Sequence, residues 1–332
     1  MKMAFIGESV AAKVGMISSD LFEIIATEEF DEQEIENMPD IGTSILGHTG
    51  QPAIGYYACS SDNPDFNYDD VCSLGNEEIQ DMVLESFSAT KPDTVVIHDT
   101  HWWYNDIIDG SKFGHQVPLE SDFDKVFAFN MMVKDAFING AQSIVYMTFS
   151  ASDKESGAPT SAYTVEMNKL MKTIDALSCE EGSPNSLVLA VFDWALLTCP
   201  TLQTTGECPR EAHGFDDILP DGTHPSGDSG DWLVANFLNA VVADLSYMVL
   251  SRYLKYDGLY ETYASDWQSA KLNPYSQHLG DQYAPDDGPP LEGLLHNYVI
   301  CPNMDDYSLQ TEVSKLEGKV YNDWSEISLP LE

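Results

Sequence analysis

Residues 3–10 read Met3-Ala4-Phe5-Ile6-Gly7-Glu8-Ser9-Val10. Four apolar residues stopped by a glycine are the pattern of a short strand buried on both faces, as in a parallel sheet. Further along, 94–97 follow the turn-forming Lys91-Pro92-Asp93, 143–148 follow Gly140, and 187–192 form another brief apolar run. Between them lie amphipathic segments at 122–138, closed by Gly140, and at 162–177, where Met167, Leu170, Met171, Ile174 and Leu177 recur at helical spacing. A further stripe over 228–253 carries Trp232, Phe237, Leu238, Val241, Val242, Leu245, Met248 and Val249. Apolar strands alternating with amphipathic helices predict an α/β fold, a three-layer α/β/α sandwich with a mainly parallel central sheet of about five strands. Beyond Tyr256 the composition turns to Tyr, Asp, Pro and Gly. The expected organisation is therefore one domain over 1–255 and a C-terminal extension, 256–332, wrapping it.

The chain carries 55 acidic against 15 basic residues among 332, a formal net charge of −40, while 43% of it is hydrophobic. That apolar and aromatic content suits a folded chain with a sizeable core. The acids are scattered along the sequence, which reads as a heavily hydrated surface suited to salty surroundings. Nucleic acid and anionic membranes are excluded as partners, since both need clustered Lys and Arg. Apolar runs are interrupted well before the roughly 18 to 20 residues of a membrane span, so no membrane insertion is expected.

Cys59, Cys72, Cys179, Cys199, Cys208 and Cys301 show no CxxC pairing of the kind zinc sites use, and neither a metal nor a cofactor is expected. Cys199 and Cys208 bound a short polar loop that suits a disulfide staple, which favours an oxidising, extracytoplasmic setting. Residues 1–6 lead straight into the first strand without a leader pattern, which favours the cytoplasm. The two arguments oppose each other.

In parallel α/β folds functional groups collect where strands end and loops lead into helix N-termini. Ser9 stands at that point after the first strand. There its hydroxyl can meet a substrate while its own backbone N–H faces a developing oxyanion, although a serine in that place is also an ordinary helix N-cap. Asp221-Gly222-Thr223-His224 precedes the last long helix pattern. An acid three residues before a histidine can orient the imidazole and stabilise its protonated form, while the other ring nitrogen takes the serine proton.

Together these blocks resemble the SGNH/GDSL hydrolase superfamily, with GESV in place of the GDSL block and DGTH as an intact DxxH block. The resemblance, over roughly residues 3–250, implies a flavodoxin-like SGNH fold and a catalytic triad of Ser9, Asp221 and His224. Ser44-Ile45-Leu46-Gly47-His48-Thr49 resembles the block that gives a glycine N–H to the oxyanion hole, nominating Gly47 beside Ser9, with Gly42 and Gly50 as alternatives. The third block departs from the family pattern: Asn105-Asp106 comes about three residues late and lacks its glycine. Asn105 is the candidate third oxyanion donor. His101, Trp102 and Trp103 before it resemble the carbohydrate O-acetyltransferase and esterase branch and are candidates for a substrate pocket. Phe192-Asp193-Trp194, Cys199, Cys208 and the DxxH block follow the order of SGNH domains attached to membrane acyltransferases. These likenesses imply a serine esterase or O-acyltransferase acting on small acyl esters of carbohydrate.

Other readings fit less well. Gly227-Asp228-Ser229-Gly230 imitates a trypsin-like nucleophile motif, but that fold is all-β. A G-x-S-x-G elbow is missing, which disfavours the α/β-hydrolase fold. His98, Asp99 and His101 suit a metal by chemistry, yet strand alternation puts His98 and Asp99 on opposite faces. From another class comes a catalytically silent glycan-binding module, favoured by Glu8 and the late Asn105 and opposed by the retained Ser9, Asp221 and His224.

Overall fold

The computed structural model describes residues 2–7, 9–28, 42–47, 85–98, 122–148, 160–193, 224–225 and 295–316, with Val234, Phe237 and Val241. In chain order these form β1 (Lys2–Gly7), α1 (Ser9–Glu28), β2 (Gly42–Gly47), β3 (Thr94–His98), α2 (Asp122–Ile138), β4 (Ser143–Met147), α3 (Thr160–Leu177), β5 (Leu187–Phe192), β6 (Leu295–Ile300) and α4 (Asp306–Lys315). The strands make one sheet in the order β2-β1-β3-β4-β5-β6. β1 to β5 are parallel, and β6 joins β5 antiparallel. The expected α/β character and mainly parallel sheet are present.

Alternation along the strands divides the core. Ala4, Ile6, Val95, Ile97, Ile144, Tyr146, Leu189 and Val191 join one cluster with Phe129, Met132 and Val133 of α2, Leu170 and Ile174 of α3, and Leu309 and Val313 of α4. Intervening residues point to the other face, and Phe5, Val96, Val145, Met147, Ala190 and Phe192 are fully buried there too. Burial on both faces explains why these strands read as continuous apolar runs. On that second face Phe192 meets Phe237 edge-on, ring centroids 5.1 Å apart, an arrangement worth about 0.5–1.5 kcal/mol beyond area burial. Phe237 and Val241 belong to the stripe expected over 228–253 and are buried, as is Val234 beside them in the sequence.

At the amino ends of the strands one acid organises the entry. Asp93 accepts the Lys2 backbone N–H on Oδ2 at 2.8 Å and donates its own N–H to the Lys2 carbonyl, fixing β1 to β3. Its carbonyl accepts the N–H groups of Gln142 and Ser143, drawing β4 into the same row. Thr94 and Ser143 then share a hydroxyl hydrogen bond of 2.8 Å. Gly140, at φ +98°, ends α2 as its sequence suggests, with the Ala141 N–H returning to the Ala136 carbonyl.

The C-terminal part differs from expectation. Within the segment read as a wrapping extension, 256–332, residues 295–316 complete the sheet and its core instead. Tyr298 and Ile300 of β6 lie in the main cluster with Leu309 and Val313 of α4. Between these elements, buried Asn130 of α2 donates from Nδ2 to the Asn303 carbonyl and accepts the Asn303 N–H on Oδ1. A disulfide joins Cys179 to Cys301, 122 residues apart with Cα atoms 5.8 Å from each other. That pairing was not foreseen; Cys199 and Cys208 lie outside the described residues. Cys179 follows α3 and Cys301 follows β6, so the bridge fastens the end of the returning edge strand to the connection between α3 and β5.

Two stability experiments follow from these contacts. Closing so long a loop restricts the unfolded chain, and Cys301→Ser is expected to lower the unfolding free energy by about 3–5 kcal/mol, read from urea denaturation. Reductant should reproduce most of that loss in the parent protein. Burial raises the Asp135 carboxyl from its ordinary 3.8 to about 6, against a smaller opposing pull from Lys134. The folded chain therefore binds this proton more tightly than the unfolded chain, and stability falls as pH rises from about 4 to about 6. Asp135→Asn should stabilise by about 1–2 kcal/mol at pH 7.5, allowing for partial exposure, and by nothing at pH 3.5. Thermal unfolding of both proteins across that range checks the sign.

Candidate functional site at the carboxyl ends of the strands

The chain leaves β1 toward β2 on one side and returns to β3 on the other, so the strand order reverses at β1. Such a reversal opens a crevice at the carboxyl ends of the two diverging strands, where ligands of open α/β sheets bind. Register places Gly47, Gly7, His98, Met147, Phe192 and Leu295 in a single row across all six strands. Gly47, Gly7 and His98 form the part of that row flanking the reversal. Ser9 lies two residues beyond Gly7 and opens α1.

Gly7 is required where it stands. Its φ is +149°, and a Cβ there would overlap the His98 carbonyl oxygen while lying 3.0 Å from the Ala11 Cβ. The first turn of α1 thus packs directly over the end of β1. Val10, Ala11 and Val14 are buried beneath that helix, outside the α2–α3–α4 cluster. The helix opens Ser9-Val10-Ala11-Ala12, without an acid in its first turn. Unbonded N–H groups and the aligned peptide dipoles make such an end favourable for negative charge. The backbone therefore brings Ser9, the first amides of a 20-residue helix and Gly47 to one rim.

Three further polar residues, His98, Thr148 and Asp193, stand at or just beyond the ends of neighbouring strands. His98 is 1% exposed at the end of β3. Thr148 and Asp193, just beyond β4 and β5, are fully buried, and the Thr148 hydroxyl donates to Asp193 Oδ1 at 3.4 Å. The Thr148 N–H bonds to the Phe192 carbonyl at 3.0 Å, continuing the ladder past the last paired residue. His224 is half-buried, at a bend before buried Pro225.

Of the residues expected in the site, Ser9 and Gly47 are placed by their backbones as described, while of His224 only its bend and half-burial are described. Asp221, Asn105, His101, Trp102 and Trp103 lie outside the described residues. Sequence reasoning weighed His98 only as a metal ligand and noted Asp193 only as a strand end. The signal for both was available: each is the first polar residue after a buried apolar run. Among the described residues no cluster of three metal-ligating side chains occurs, and no helix is long and apolar enough to cross a membrane.

Set against known protein families, curated proteins and solved structures, the chain matches none of them. Its function must be argued from the rim itself. If the close approach of β1 and β3 shapes that rim, Gly7→Ala should lose about 1–3 kcal/mol of stability from backbone strain alone, with more from the overlap at His98. Urea unfolding measures the loss, and an alanine variant as stable as the parent would contradict the geometry.

Proposed function

We propose that the protein is a serine esterase or O-acyltransferase of the SGNH type, acting on small acyl esters of carbohydrate, most simply acetyl esters. The observation that carries the reading is the placement of Ser9 at the head of α1, beside the strand-order reversal and two residues beyond Gly7, which pairs with Gly47. The sheet order β2-β1-β3-β4-β5 is that of flavodoxin-like folds. With α1 over one face and α2, α3 and α4 on the other, the finer architecture is a three-layer α/β/α sandwich.

In this reading the Ser9 hydroxyl attacks the ester carbonyl carbon as His224 accepts its proton, and Asp221 holds the resulting imidazolium. The oxyanion is met by the N–H groups of Ser9 and Gly47 and by the Asn105 side chain. Each such donor is worth about 3 kcal/mol in the transition state. Collapse breaks the carbon–oxygen bond to the sugar, and His224 returns the proton to the leaving alcohol. Water, or the hydroxyl of a second sugar, then attacks the acyl-enzyme with His224 again as base, releasing the acid or the new ester and restoring Ser9. Hydrolysis and transfer share every step except the acceptor. His101, Trp102 and Trp103 are proposed as the wall against which the sugar ring stacks.

Position along the chain supports a role for His224. β5 ends at Phe192 and β6 begins at Leu295, and these two residues are paired in the carboxyl-end row. The segment holding the DxxH block is therefore tethered at both ends to the rim where Ser9 stands. The second reading, a silent glycan-binding module, draws on Glu8 and the late Asn105. p-Nitrophenyl acetate turnover and fluorophosphonate labelling separate the two. The esterase reading expects both, with Ser9→Ala abolishing labelling and His224→Ala lowering turnover at least about a thousandfold. A protein that neither turns over the ester nor takes the label would be the binding module.

A further inference from the structure

We propose that the folded state is conditional on salt: the chain relies on dissolved cations to offset its own charge, and the carboxyl-terminal ends of α1, α2 and α3 are where that reliance is greatest. The inference is independent of the reading of Ser9. The chain carries a formal net charge of −40, and among the described side chains Lys169 and Asp193 are the buried charges. A compact state holds like charges closer together than an unfolded one does, and the repulsion lowers its stability unless ions screen it. The screening length shrinks from about 10 Å at 0.1 M salt to about 3 Å at 1 M, so relief continues into the molar range.

Helix direction makes the repulsion uneven. Unbonded carbonyls at the carboxyl end of a helix carry partial negative charge, which a Lys or Arg in the last turn offsets. α1, α2 and α3 have no base in that turn. Each has an acid there instead: Glu28, Asp135 and Asp175. α4, by contrast, ends on Lys315, which pairs with Glu312. All three unrelieved ends lie toward the amino end of the sheet. α2 is followed closely by Gln142 and Ser143, whose N–H groups bond to the Asp93 carbonyl. At the end of α3 the Leu177 carbonyl accepts the Cys301 N–H, just past the end of β6. α1 runs back from the rim to the connection with β2, where residues 29–41 hold six acids, from Glu29 to Asp40, and no base. Lys2, Lys91, Lys134 and Lys172, the bases near these ends, are fewer than the acids, so dissolved cations must supply the remainder.

The test follows urea unfolding of the full-length chain by circular dichroism from about 0.05 M to about 2 M KCl. The parent is expected to gain stability throughout, its urea midpoint rising at every step. Glu85→Lys, Glu180→Lys and Glu181→Lys, all at exposed positions, are combined in one variant. Each adds two units, so the net charge moves from −40 to −34 and self-repulsion, which follows about the square of the charge, falls by roughly a quarter. That variant should be more stable than the parent at low salt and gain less from KCl. At the helix ends, Ile138→Lys, at the exposed last residue of α2, is compared with Met16→Lys, at an exposed position in the middle of α1. Both remove an exposed apolar side chain and add one positive charge. Ile138→Lys should lower the unfolding constant about twofold to fivefold more than Met16→Lys at low salt, and that excess should shrink as KCl rises. A parent whose stability is flat or falls with KCl overturns the proposal. So does a triple variant that gains as much as the parent, since a general strengthening of apolar burial acts on both alike. Equal effects of the two lysines at low salt overturn the placement at the helix ends, as does an excess that salt leaves unchanged, which is helix propensity alone. Should Ile138→Lys fail to fold, Ser178→Lys, at the exposed position directly after α3, replaces it under the same criteria.

Discussion

The approach of β1 to β3 at Gly7 and His98 is the constraint on which the rest of the rim depends. Two parallel strands that part in opposite directions leave a crevice only if their ends stay together, and the chain must then turn at once into a helix over the second face. A side chain at position 7 would collide with the His98 carbonyl and crowd Ala11. Removing it lets the helix begin two residues after the strand, which brings Ser9 level with the opening. The opposite end of the sheet is held by different means. Asp93, through its carboxylate, N–H and carbonyl, ties β1, β3 and the start of β4. With the amino ends fixed by one residue and the carboxyl ends shaped by another, the strands between them supply mostly apolar side chains.

Those apolar runs are why most of the sheet was legible in the sequence. Residues 94–98, 143–147 and 187–192 are buried throughout, and a strand buried on both faces announces itself by composition. β2 escaped notice because Gly42-Thr43-Ser44-Ile45-Leu46-Gly47 offers two strong apolar residues between small and polar ones, so Ser44 to Gly47 registered as a motif rather than a strand. β6 escaped for a related reason. Leu295-His296-Asn297-Tyr298-Val299-Ile300 is an edge strand in a polar setting, partly exposed at four of six positions. The disulfide was hidden by distance along the chain: 122 residues separate Cys179 from Cys301, whereas the eye is drawn to Cys199 and Cys208 on one short loop. For the site, residue types and order carried the reading of Ser9 and His224. The neighbourhood of His98 did not show, because strand register is a pairing between distant segments.

Charge gives the rim a second distinction. With 55 acids in the chain, a folded core must exclude nearly all of them, and among the described residues the buried charged side chains are Lys169 and Asp193. Asp193 stands at the end of β5, one position beyond the row of Gly7 and His98, with the Thr148 hydroxyl bonded to it. A carboxylate taken out of water is expensive unless hydrogen-bonded. Buried His98, Thr148 and Asp193 thus lie together along the carboxyl end of the sheet, as buried Thr94 and Ser143 do along its amino end.

The C-terminal elements return the chain to the same end of the sheet. β6 runs antiparallel, so the chain leaves the sheet after Phe192 and re-enters at Leu295 on the same row, with residues 193–294 between these two anchors. A parallel sixth strand would have begun at the opposite end of the sheet, and its connection would have had to travel the length of the domain. The antiparallel return keeps both ends of a hundred-residue segment beside the rim. Beyond the return, the Cys179–Cys301 bridge and the paired hydrogen bonds between Asn130 and Asn303 fasten β6 and α4 to the α2–α3 side. The bridge lies on the side of the sheet remote from β1, where it secures the strand by which the chain re-enters the sheet after the segment that contains His224.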